Sequence, residues 1–132
     1  MTLNELAKEI HSNAVAHGWW DGGRTFGEIV ALCHSELSEA LEEYRSNRPM
    51  VWHGCEVGLE CEYNDDTCIW AESPESCIHY GKKPEGIAVE MIDCIIRILD
   101  WCGKEGVDVD AILKAKHEYN KTRPYRHGGK AL

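Results

Sequence analysis

Glu36 and Glu39 lie three residues apart in the segment ALCHSELSEALEEYR, and Glu90 and Asp93 lie three apart in AVEMIDCIIRILDWC. At about 100° per residue, positions i and i+3 share a helix face, so each segment presents a carboxylate pair. Four acids brought together this way would form a cage for a divalent cation. Glu36 also falls among Cys33, Leu37 and Ala40, which implies partial desolvation. A carboxylate removed from water is costly unless it is protonated, hydrogen-bonded or bound to a cation. Mg²⁺ takes hard oxygen ligands and keeps several waters, so such a cage suits it, with Mn²⁺ as a related occupant. The plainer alternative is a pair of acidic amphipathic helices whose carboxylates face solvent.

The elements that must carry these acids are legible from caps and periodicity. Thr2 with Glu5 reads as a capping box opening a first helix through Ala16, with Leu3, Leu6, Ile10 and Val15 on one stripe. Thr25 with Glu28 repeats the pattern before a second helix, Phe26 to Arg45, whose apolar face includes Ile29, Leu32, Cys33, Leu37, Ala40, Leu41 and Tyr44. Pro84 suits the first turn of a third helix running from Glu85 to Cys102, with Ile92, Ile95, Ile96 and Leu99 turned inward and Gly103 and Gly106 punctuating its end. Asp108 caps a fourth helix from Val109 to Lys121, with Ile112 and Leu113 set against the others. The tail 122–132 is basic and irregular, and Pro124 stops the helix before it. Residues 50–83 form an insertion between the second and third helices, irregular or a small hairpin. It holds His53, Cys55, Cys61, Cys68, Cys77 and His79, yet no C-x2-C knuckle, so the spacing is a weak match to structural zinc.

A chain of 132 residues is expected to fold as one domain spanning 1–132, small enough for an oligomer interface to add much of its stability. With 23 acidic against 14 basic residues and a formal charge of −9, general affinity for a nucleic-acid polymer or an anionic membrane is disfavoured. A phosphate substrate remains open to it if metal ions carry positive charge at the site. No apolar run reaches membrane-span length and MTLNELAKEI is unlike a signal peptide, so a cytoplasmic location is expected. The seven cysteines are an odd number, and Cys33, Cys94 and Cys102 fall where small hydrophobes would, which favours reduced thiols.

The pattern E-x-x-E followed by E-x-x-D, in an all-helical chain of this size, resembles the MazG-like all-alpha nucleoside triphosphate pyrophosphohydrolases. The stretch KPEGIAVEMIDCIIRILDWCGKEGVDVDAILKAKHEYNKTRPYRHGGK, residues 83 to 130, is similar to the carboxyl-terminal half of small bacterial and phage members. The resemblance implies an all-α, four-helix MazG-like bundle acting as a homodimer or homotetramer. It implies Mg²⁺ held by Glu36, Glu39, Glu90 and Asp93, and hydrolysis of a nucleoside triphosphate between its alpha and beta phosphorus atoms to nucleoside monophosphate and pyrophosphate. The long spacer at residues 50–83 departs from the family pattern.

Within that reading, Glu36 or Glu39 could orient or deprotonate the attacking water, and the residues do not separate ligand from base. Lys121 and Arg123 in YNKTRP would meet the outer phosphates, with Asn120 adding a hydrogen bond; solvated or dipole-facing roles are the bland alternative. Arg97, four residues beyond Asp93, could reach its carboxylate or a phosphate. Trp19 and Trp20 in HGWWDGGRTF could stack on a base, while at least one is expected to anchor its loop. Lys82 and Lys83 are expected to remain in solvent. The residues leave the preferred nucleotide open, dUTP and dCTP included. The competing classes are a catalytically inactive MazG-like nucleotide- or protein-binding module and a zinc-stabilised interaction module on residues 53 to 79.

Overall fold

A computed structural model describes residues 1–54 and 83–132. Those residues are mostly helical: α1 (Leu3–Ala16), α2 (Phe26–Arg45), the short strands β1 (Trp52–Gly54) and β2 (Lys83–Glu85), α3 (Ile87–Glu105), α4 (Val109–Lys121) and a terminal helical turn α5 (Arg126–Gly129). They divide into two compact units, one of residues 1–25 and 96–132 and the other within 26–95, so α3 contributes its first half to one unit and its second half to the other. Cys55, Cys61, Cys68, Cys77 and His79, with their proposed zinc, lie outside the described residues, and His53 is exposed on β1.

In the first unit, α1 and α4 cap each other. Thr2 and Glu5 form the expected capping box: the Thr2 hydroxyl accepts from the Glu5 N–H at 3.1 Å and the Glu5 carboxylate from the Thr2 N–H at 2.7 Å. The next two amides of α1, Leu3 and Asn4, donate to the carboxylate of Asp110 at 3.2 and 3.0 Å. In return, the Asn4 side-chain oxygen accepts from the N–H groups of Val109 and Asp110 at 2.7 and 3.3 Å, while its amide donates to Asp108 at 2.8 Å. Asp108 also accepts from Ala111 N–H at 3.1 Å. Amides that no intrahelical carbonyl can satisfy thus find partners across the two helices. Behind the caps, Ala7, Leu99 and Cys102 form a small core bordered by Leu6, Ile10, Trp101, Val107 and Val109. Gly103 sits against the Ala7 carbonyl, where a Cβ would collide with backbone and meet the His11 Cβ at 2.8 Å. It therefore lies inside α3 as a contact residue, and the helix ends three residues later than its sequence suggests, at Gly106 with φ +66°.

In the second unit, β1 and β2 pair antiparallel with Trp52 opposite Glu85, His53 opposite Pro84 and Gly54 opposite Lys83. Pro84 is accordingly a strand residue and not the opening of a helix. Gly86 separates the two elements: its φ of +115° and its approach to the Pro49 and Met50 carbonyls exclude a side chain. The chain then enters α3, with Ala88 N–H bonded to Met50 O at 3.0 Å. Trp52 Nε1 donates to Glu43 of α2 at 3.0 Å, and the Arg48 guanidinium lies 5.0 Å from the Trp52 ring. Ile29 and Ala40 of α2 and Cys94 of α3 are buried.

The expected inward stripes are only partly buried. On α3, Leu99 is buried with Cys94, Asp100 and Cys102, whereas Ile92, Ile95 and Ile96 are exposed, as are Met91 and Ile98. Leu37, Leu41 and Tyr44 of α2 and Ile112 and Leu113 of α4 are exposed as well. The physical reason is that α3 is apolar on more of its circumference than the face that carries Cys94, Leu99 and Cys102. Among the described residues, no helix is long and apolar enough to cross a membrane.

The reciprocal caps predict that Asn4→Ala lowers stability by about 1–2 kcal/mol, read from urea unfolding followed by far-ultraviolet circular dichroism. Hydrogen bonds from Asn4 and then from the Ala111 N–H hold the Asp108 carboxyl below its ordinary pKa. A depressed carboxylate stabilises above its unfolded value and loses that contribution as pH falls through the lowered one. The wild-type advantage over Asn4→Ala should therefore shrink on acidification into that range.

Candidate metal centre

The carboxylates of Glu36, Glu39 and Glu90 converge in the second unit. Glu36 and Glu39 stand one turn apart on α2, Glu90 stands in the first turn of α3, and one oxygen from each lies within 4.8 Å of the others. Glu36 is only 5% exposed, as its placement near Ala40 requires, while Glu39 is exposed and Glu90 half-buried. Asp93, half-buried one turn beyond Glu90, lies outside this group of three but close enough to act on Glu90 electrostatically.

The electrostatics of the cluster show on Glu90. Burial, a hydrogen bond to Glu39 and the negative charges of Glu39, Asp93 and Glu36 push its carboxyl up to about 7. A position in the first turn of a helix ordinarily favours the ionised form, so burial and repulsion outweigh the helix dipole here. The cluster thus favours the protonated form of Glu90, and a cation held there would serve the same neutralising role. The donor set fits a hard divalent ion. Three carboxylate oxygens within 4.8 Å of one another are the hard-oxygen donors that Mg²⁺ takes.

The other sequence candidates belong to the first unit. Trp20 is an anchor: its Nε1 donates to both carboxylate oxygens of buried Asp100, at 3.0 and 3.1 Å. His11 Nδ1 lies 2.7 Å from Asp100 Oδ1 and its ring meets Trp20 edge-on at 5.3 Å. Trp19 is 62% exposed, with the Arg24 guanidinium 5.5 Å from its ring. Lys121 is exposed and paired with Glu118 at 2.7 Å, Arg123 lies 5.9 Å from the Tyr119 ring, Asn120 is exposed and Arg97 is half-buried. Two features escaped sequence reasoning. Asp100 was legible as an acid inside the apolar run IIRILDWC. Lys83 shares its surroundings with Glu85, Glu90 and Asp93, through a strand pairing that the sequence does not advertise.

A carboxyl whose folded pKa is raised contributes stability that is full below its unfolded value of 4.5 and is lost progressively as pH rises through about 7. In chelator-treated protein, the Tm advantage of wild type over Glu90→Gln should therefore fall between about pH 5 and pH 8. A pH-independent difference would contradict the raised Glu90 carboxyl. Protein-family models, curated proteins and solved structures give no match to this chain.

Proposed function

We propose that the chain is a MazG-like, Mg²⁺-dependent nucleoside triphosphate pyrophosphohydrolase that cleaves between the alpha and beta phosphorus atoms. The observation that carries this reading is the convergence of Glu36, Glu39 and Glu90 from two helices into a cluster in which burial and mutual repulsion raise the Glu90 carboxyl. The E-x-x-E and E-x-x-D pattern and the resemblance of residues 83–130 point the same way.

On this account Glu36, Glu39, Glu90 and Asp93 would hold the metal. Bound metal would supply Lewis-acid stabilisation of the phosphate charge and a water of lowered pKa. Glu39, the most accessible of these acids, is then placed to orient the attacking water, with Glu36 fixed behind it by burial. Lys121, Arg123, Asn120 and Arg97 are the proposed phosphate contacts, and Trp19 the proposed stacking surface. Trp20 supports Trp19's loop through Asp100. The exposed Met91, Ile92, Ile95 and Ile98 of α3 support the further proposal of a homodimer or homotetramer in which the helices complete a MazG-like four-helix bundle.

Pyrophosphate release from a panel of canonical and modified nucleoside triphosphates with Mg²⁺ tests the activity. Glu39→Gln and Glu90→Gln should each reduce turnover by more than the about 100-fold that loss of a metal's outer-shell partner can cost, while keeping their helicity. Turnover at the wild-type rate in both variants would remove the acids from catalysis. Nucleotide binding without turnover in the wild type would favour the inactive binding module.

A further inference from the structure

The second unit has a cation, Lys83, that feels the charges of Glu90 and Asp93 and that the proposed mechanism has not used. Lys83 lies on β2, and because alternate residues of a strand share a face, it sits beside Glu85; their ion pair measures 2.8 Å. The residue opposite Lys83 on β1 is Gly54, which has no side chain to compete for the ammonium. The backbone fixes where this ammonium stands relative to the acids. From β2 the chain passes through buried Gly86, whose carbonyl accepts the Glu90 N–H at 3.0 Å, while the Ala88 N–H is held by Met50 O at 3.0 Å. Glu90 is thereby tied to the end of the strand that carries Lys83. The Lys83 side chain is nevertheless 60% exposed, so one side of the ammonium faces solvent.

We propose that Lys83 binds non-bridging phosphate oxygens of the polyphosphate substrate at the rim of the carboxylate cluster, and that Glu85 is the positioning residue that holds it there. This inference rests on the pyrophosphohydrolase reading. A nucleoside triphosphate is itself strongly anionic, and Glu36, Glu39, Glu90 and Asp93 repel it. Bound metal offsets part of that repulsion, and a lysine at the rim offsets more without occupying a coordination position. The ammonium's pKa is raised by the hydrogen bond to Glu85, against the effect of burial, and further by the charges of Glu85, Glu90 and Asp93, so the group is charged at neutral pH. Glu85, by accepting from Lys83, keeps the flexible side chain from lying across the metal ligands, and yields it to phosphate when substrate arrives.

Steady-state kinetics with a hydrolysed nucleoside triphosphate and saturating Mg²⁺ test this on the full chain. Lys83→Gln should raise KM by about 10- to 100-fold, the loss of a hydrogen bond to a charged group, with a much smaller change in kcat. Lys83→Arg should restore most of the KM, and Glu85→Gln should raise KM to a lesser degree. Mg²⁺ affinity without nucleotide should be equal or tighter in Lys83→Gln, because a neighbouring positive charge has been removed. An active wild type with Lys83→Gln at unchanged KM would overturn this inference alone. An equal loss in Gln and Arg variants accompanied by a lowered Tm would overturn it too, by making Lys83 structural. Absence of hydrolysis of every nucleotide by the wild type would overturn the pyrophosphohydrolase reading and this inference together.

Discussion

Three carboxylate oxygens held within 4.8 Å of one another repel, and keeping all three ionised is costly without a counter-charge. That constraint organises the second unit. Glu36 is buried on α2, so its charge cannot be spread into solvent, and Glu90 meets it from the first turn of α3. The raised Glu90 carboxyl shows that cost: burial, the hydrogen bond to Glu39 and the neighbouring negative charges favour its protonated form. A proton neutralises one charge, whereas a divalent ion neutralises two and draws in the remaining oxygens. The proposed function follows from that substitution, since a metal held by protein oxygens on one side has positions for water and phosphate on the other.

Holding the acids together requires that α2 and the start of α3 be fixed, and here the short strand pair matters more than its size suggests. Trp52 of β1 is bonded to Glu43 of α2, and β2 leads through Gly86 directly into α3. The first unit is stabilised differently, by small residues at Ala7 and Gly103 and by the exchanged caps of α1 and α4. Its most buried polar group, Asp100, is fully engaged by His11 and Trp20. That arrangement explains how a loop containing two tryptophans can keep one of them in solvent.

What was legible in the sequence was local. The Thr2 box, the Asp108 cap and the bounds of α1, α2 and α4 depend on neighbours within four residues, and periodicity placed Glu36 and Glu39 on one face. The start of α3 was misread because Pro84 suits a first helical turn as well as a strand, and the choice is made by pairing with His53, thirty-one residues away. Gly103 was misread as a stop because its function, room for the Ala7 carbonyl, depends on a distant helix. The pairing of Glu90 with Glu39 across two helices, and the placement of Lys83, are likewise tertiary facts. The apolar stripe of α3 was read correctly as apolar and, at Leu99, as inward, but Ile92, Ile95 and Ile96 are exposed, since periodicity reports hydrophobicity and not which surface covers it.

The central claim is that the glutamate cluster exchanges its proton for a divalent cation. Calorimetric titration of Mg²⁺, with Mn²⁺ as a second probe, into the full chain near pH 6.5 in two buffers of different ionisation enthalpy measures this exchange directly. The account predicts saturable binding accompanied by proton release, with the proton release abolished and the affinity reduced in Glu90→Gln. Binding without proton release, or binding unaffected by that substitution, would contradict it.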